Sequence, residues 1–133
     1  MKRRMRAIYA ILAVVGIALI AISVFSEKSS MSGWYSFDEG KRIAEKEGKK
    51  MFVFIGTDTC KVCKSFKAFF SSNSTAMEFI KSNFVPVYVD ALKEKPPVTV
   101  TFVPVFCVGM PENLSCFSTN TPQDLMRNLM QLQ

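Results

Sequence analysis

The chain has 133 residues, 49% of them apolar and 21% charged, which suits one folded domain of ordinary size and excludes a disordered or collagen-like polymer. It contains no histidine, which excludes Ser-His-Asp and Cys-His nucleophiles, c-type haem attachment and imidazole-ligated metals. Of the net charge of +6, Lys2, Arg3, Arg4 and Arg6 carry +4, and no basic stripe interleaved with aromatics follows, so no nucleic-acid partner is expected.

Residues 1–6 form this basic tail. Ala7 to Phe25 follows, nineteen residues without a charge. As a helix at roughly 1.5 Å per residue it would span about 28 Å, the hydrocarbon thickness of a bilayer. The basic flank predicts a cytoplasmic N-terminus, a single pass through the inner (cytoplasmic) membrane and a periplasmic or otherwise extracytoplasmic remainder. A cleaved signal peptide is the competing reading, with weak sites at Ala21-Ile22-Ser23 and Val24-Phe25-Ser26. Residues 26–33 are small and polar and read as a linker, leaving residues 34–133 for the domain.

In the domain, Ser36-Phe37-Asp38-Glu39 is a capping box and Gly48 stands where the helix it opens should end, with Phe37, Ile43 and Ala44 on its apolar side. Met51-Phe52-Val53-Phe54-Ile55 is a continuous apolar run, expected as a central strand covered on both faces. Cys60 to Ser72 reads as a second helix, with Val62, Phe66, Phe69 and Phe70 toward the core and Lys61, Lys64 and Lys67 toward water. A short helix is expected over 75–82, opened by Thr75-Ala76-Met77-Glu78. Phe84 to Val89 is a further strand in which Pro86 needs a position without a ladder donor. Val98 to Val108 is β-rich, Met110-Pro111-Glu112-Asn113 a turn, and Leu114 to Ser118 its hairpin return. Thr121-Pro122 opens a closing helix. The predicted order is α-β-α-α-β-β-β-α.

Cys60-Lys61-Val62-Cys63 lies where the buried strand passes through Gly56-Thr57-Asp58-Thr59 into a helix. A thiolate there meets unpaired N–H groups and the positive end of the helix dipole, and Lys61 adds a charge. Cys60 is therefore expected as the nucleophile and Cys63, one turn on and more buried, as the resolving thiol. An inert disulfide is the structural alternative. A zinc site would need Cys107 and Cys116, whose spacing is not that of a knuckle; neither metal nor cofactor is expected.

These features together resemble the thioredoxin-like superfamily over residues 34–133. The matching parts are Phe52 to Phe70, the strand Phe84 to Asp90, and Phe102-Val103-Pro104-Val105-Phe106, which looks like the segment bearing the family's cis-proline, 44 residues after Cys60. The likeness extends to membrane-associated bacterial members, including the C-terminal periplasmic domain of the transmembrane thiol:disulfide interchange reductase. It implies an α/β fold with a central mixed sheet of about four to five strands flanked by helices. It also implies dithiol exchange on protein disulfides, more as reductase or exchanger than as oxidase, fed by an upstream membrane electron donor. Val103 and Pro104, beside the dithiol, and Thr59 would contact substrate, the Val103 backbone pairing with an extended strand. Lys61 and Asp58 would tune the thiolate. Departures are Thr59 in place of an aromatic, Phe54 in place of a buried acid and Pro86 in place of a lysine. They motivate the alternative of a redox-inert binding or assembly module.

A turn at Pro111-Glu112 pairs residues whose numbers sum to 223, which sets Cys107 opposite Cys116. This permits a structural disulfide; two free thiols acting as small hydrophobes is the other reading.

Overall fold

The computed structural model describes residues 5–11 and 31–133. Residues 5–11 are helical. The apolar stretch from Ala7 to Phe25 read as a membrane span lies mostly outside the described residues, and among these no helix is long and apolar enough to cross a membrane.

Among the described residues from 31 onward, eight elements follow in the order α1 (Phe37–Glu47), β1 (Met51–Gly56), α2 (Lys61–Ser72), α3 (Ser74–Asn83), β2 (Val85–Asp90), β3 (Val105–Met110), β4 (Asn113–Phe117) and α4 (Pro122–Leu132). The sheet runs β2-β1-β3-β4; β1 and β2 are parallel, and β3 is antiparallel to both its neighbours. β1 is buried along its whole length because each face is covered. Phe52 and Phe54 point into an aromatic cluster with α2, α3, α4 and Trp34, whereas Met51, Val53 and Ile55 point toward Ala44 of α1. Each of these large side chains contributes about 1.5–3 kcal/mol by leaving water.

Local signals explain the element ends. Ser36 accepts the Glu39 N–H at 3.3 Å, Gly48 closes α1 with φ 63°, and Asp38, Glu39 and Lys46 complement the helix dipole. Thr121 caps α4, with Pro122 in its first turn. β2 is an edge strand, and the Pro86 carbonyl accepts the Tyr35 N–H on the outer side. A residue's N and O share one side of a strand, so the missing proline N–H removes nothing from the β1 ladder.

Four local expectations are corrected. α3 begins at Ser74, because the Asn73 side chain accepts the Ala76 N–H at 3.0 Å and displaces Thr75 as cap. β structure begins at Val105, where pairing with Ile55 of β1 begins, and residues 98–104 are irregular because they have no partner strand. Val62 is 38% exposed at the second position of α2, before the helix meets the sheet. Lys67 is drawn inward by a carboxylate and a tyrosine ring instead of facing water.

Candidate active site

β1 delivers the chain to Gly56, and a three-residue turn carries it to Cys60, the N-cap of α2. The cap has extended backbone angles (φ −78°, ψ 118°), and its Sγ accepts the Cys63 N–H at 3.1 Å. A sulfur thus occupies the place of a capping oxygen, where backbone dipoles favour negative charge. Cys60 is half-buried and Cys63 fully buried; they are joined as a disulfide with Cα atoms 5.2 Å apart. Gly56 lets Cys63 rest on the strand: a methyl group placed there would lie 3.1 Å from Cys63 Sγ. Behind it, the Gly56 carbonyl accepts the Ala91 N–H at 2.9 Å, which ties the exit of β2 to the same end of the sheet.

The Val103–Pro104 peptide bond is cis, and the Val103 carbonyl oxygen lies 4.0 Å from Cys60 Sγ. Ser118, just beyond β4, donates to the Pro104 carbonyl at 2.7 Å. Beside Val103 the loop after β2 encloses a groove of about 710 Å³, walled by Thr57, Leu92, Pro97, Val100 and Phe102. A hollow of about 680 Å³ near Trp34, Ile43 and Pro86 lies at the opposite end of β1 and β2 from the cysteines, and chemistry places the site at the groove.

A chain of charges borders the dithiol. Asp58 binds Lys67 of α2 at 3.1 Å and Lys93 at 2.9 Å, and Lys93 stands 3.9 Å from the buried Asp90. Hydrogen bonds from Lys93 first, and from Lys67, hold the Asp58 carboxyl below the usual carboxylate range. Burial opposes the Lys67 charge, but Tyr88 and Asp58 outweigh it and its pKa is raised. Lys67 Nζ lies 4.6 Å from the centre of the Tyr88 ring, and burial raises the Tyr88 phenol.

The family described as thioredoxin-like matches residues 33–111, more than half of the chain. The chain belongs to the thioredoxin-like family. An uncharacterized protein of Archaeoglobus fulgidus is 64% identical over 122 residues, covering 92% of this chain and 96% of that one. The solution structure of a thioredoxin from Thermus thermophilus shares the fold, with a TM-score of 0.60 and 18% identity over 78% of this chain and 88% of that one.

In this thioredoxin-like protein the fold gathers Cys60, Cys63 and Val103–Pro104 at one end of the sheet. Thr59 is exposed in the turn, its hydroxyl 3.5 Å from that of Thr57. Lys61 is exposed at the start of α2, and Asp58 engages lysines. Cys107 and Cys116 face each other in the β3–β4 register and are disulfide-bonded, Cα atoms 4.1 Å apart. Cys107 belongs to the α1 side of the sheet and Cys63 to the other, so the two disulfides occupy opposite faces. Sequence reasoning passed over Gly56, Lys93 and Ser118 and sent Lys67 to water. Lys67 carried a signal, its four-residue offset from Cys63, whereas Ser118 meets Pro104 only through the hairpin.

Proposed function

We propose that this protein is a membrane-tethered, extracytoplasmic thiol:disulfide oxidoreductase that reduces or exchanges disulfides of protein substrates. The observation that carries the reading is Cys60 at a helix N-cap, its sulfur accepting the Cys63 N–H and facing the Val103 carbonyl across 4.0 Å. In the reduced protein the Cys60 thiolate attacks a substrate disulfide, forming a mixed disulfide and releasing one substrate thiolate. Cys63 then attacks Cys60 Sγ, closing the internal disulfide and releasing the second substrate thiol, so two electrons pass to substrate. Return to the dithiol takes two electrons from an upstream dithiol donor at the membrane. Val103 offers its backbone to an extended substrate segment, and the adjoining groove receives a flanking side chain.

The uncharged flank from Ala7 to Phe25 motivates the tether, and a likeness to the periplasmic domain of the interchange reductase motivates the direction. Equilibration against glutathione and dithiothreitol buffers, read by alkylation of Cys60, tests the activity. A two-electron transition within the range of these buffers is expected. A Cys60–Cys63 pair that stays closed throughout would instead indicate a redox-inert binding module.

A further inference from the structure

Resolution of a mixed disulfide requires Cys63 as a thiolate, yet Cys63 is fully buried in the aromatic cluster that also holds Phe54, Phe66 and Tyr88, surroundings that disfavour a bare anion. β1 beneath it carries no ionisable side chain. Lys67 stands one turn after Cys63 on the same side of α2. Its side chain runs back over that turn, because its Nζ meets Asp58, which precedes the helix. There Nζ lies over the Tyr88 ring, and Tyr88 packs against Phe54 with ring centres 5.1 Å apart. A methyl group on Gly56 would touch both Phe54 Cε2, at 3.3 Å, and Cys63 Sγ, so Phe54 and Cys63 border the same glycine, and Phe54 packs on the ring that the ammonium covers.

We propose that Lys67 supplies the positive charge that steadies the Cys63 thiolate during resolution, and that Asp58 is a positioning residue that sets Lys67 there. The assignment rests on the exchange reading above. In the step, the Cys63 thiol releases its proton to water and its sulfur bonds to Cys60 Sγ. The Cys60–substrate bond breaks, and the substrate sulfur leaves as a thiolate that takes a proton from water. No other oxidant or reductant enters.

Other charges face this cluster from each side. Asp58 and Lys93 are 54% and 62% exposed, so water screens their fields. Asp90 of β2 accepts the Leu92 N–H at 3.0 Å and lies near Lys93. Lys61 and Lys64 on α2 are exposed, and Tyr88 and Cys60 are neutral at pH 7 once Cys60 is bound to substrate. Lys67, 23% exposed, is the most withdrawn of these cations and the one on α2 a single turn beyond Cys63.

The test mixes reduced full-length protein with an aromatic disulfide whose thiol product is coloured, so that attack by Cys60 and resolution by Cys63 appear as two phases. Lys67→Met should slow the second phase roughly tenfold at neutral pH and move its inflection to higher pH. The first phase should change much less, and Lys67→Arg should restore the second. Asp58→Asn, an exposed change that leaves the core intact, should give a smaller slowing in the same direction. A Lys67→Met protein with an unaltered second phase and inflection, or an Asp58→Asn protein with both unaltered, overturns the assignment alone. A parent protein that releases no colour overturns the exchange reading and the assignment together.

Discussion

The Ser118 hydroxyl donates to the Pro104 carbonyl at 2.7 Å, joining the end of β4 to the loop that faces Cys60. The outermost strand thereby helps fix the backbone offered to substrate. Ser118→Ala should remove about 1 kcal/mol of restraint on that loop. Reduction of a protein disulfide should slow a few-fold, reduction of a small disulfide should hardly change, and Ser118→Thr should behave as the parent. Equal slowing on both substrates would show that the hydrogen bond acts on the cysteines instead of the loop.

The Cys107–Cys116 bridge closes a ten-residue hairpin. Loop-closure entropy for that length gives about 2.5 kcal/mol. Replacing both cysteines by alanine should lower the Tm by roughly 10–20 °C in calorimetry, given about 4–8 °C per kcal/mol for a small domain. The redox transition of Cys60 and Cys63, across the sheet, should stay where it is.

Gly40 of α1 packs so closely on β2 that an added Cβ would overlap a methyl of Val87. The gain in helix propensity from Gly40→Ala is smaller than the strain, so the variant should lose about 1–3 kcal/mol in urea unfolding. A companion Val87→Ala change, which removes that methyl, should recover part of the loss.

Tyr88 and Lys67 make the domain sensitive to alkali. Burial raises the Tyr88 phenol, and contacts with Tyr88 and Asp58 raise Lys67 against its own burial, so the folded state holds both protons more tightly than the unfolded chain. This contribution is complete below the ordinary values of 10.0 and 10.5 and is lost as pH rises through the higher folded values. Asp58 has the opposite sign: its share is complete above 3.8 and is lost as pH falls through its depressed value. Tyr88→Phe should flatten the alkaline fall. Because no hydrogen bond of ordinary geometry reaches the buried hydroxyl among the described residues, although the Lys67 ammonium is near enough to act on it, that variant should stay within about 1 kcal/mol of the parent at pH 7.

The element order was readable because caps and strand hydrophobicity agree with the tertiary structure: Ser36, Gly48, Pro122 and the apolar run at Met51 each have a local cause. The cysteine positions followed from the same logic, since a strand-turn-helix junction fixes what sits at the helix end. Asn73 was missed because two capping signals compete within three residues and only the backbone decides between them. The irregular run at 98–104 has β propensity and no partner strand; propensity describes a residue's preference, not its neighbours. The offset of Lys67 from Cys63 is local and readable, but its pairing with Asp58 and Tyr88 and that of Ser118 with Pro104 are not, because no pattern of spacing encodes a contact across the fold.

Trp34 is the sole tryptophan in the chain, buried with its ring 4.9 Å from Phe70 and 5.7 Å from Phe52. Phe70 lies two turns along α2 from Cys63, about 10 Å at roughly 1.5 Å per residue. The fluorophore is thus embedded in the same aromatic cluster as Cys63, and it also packs against Phe54 with ring centres 6.3 Å apart. Its emission reports the loss of this cluster on unfolding, so one intrinsic fluorophore follows the packing that holds the buried cysteine in place.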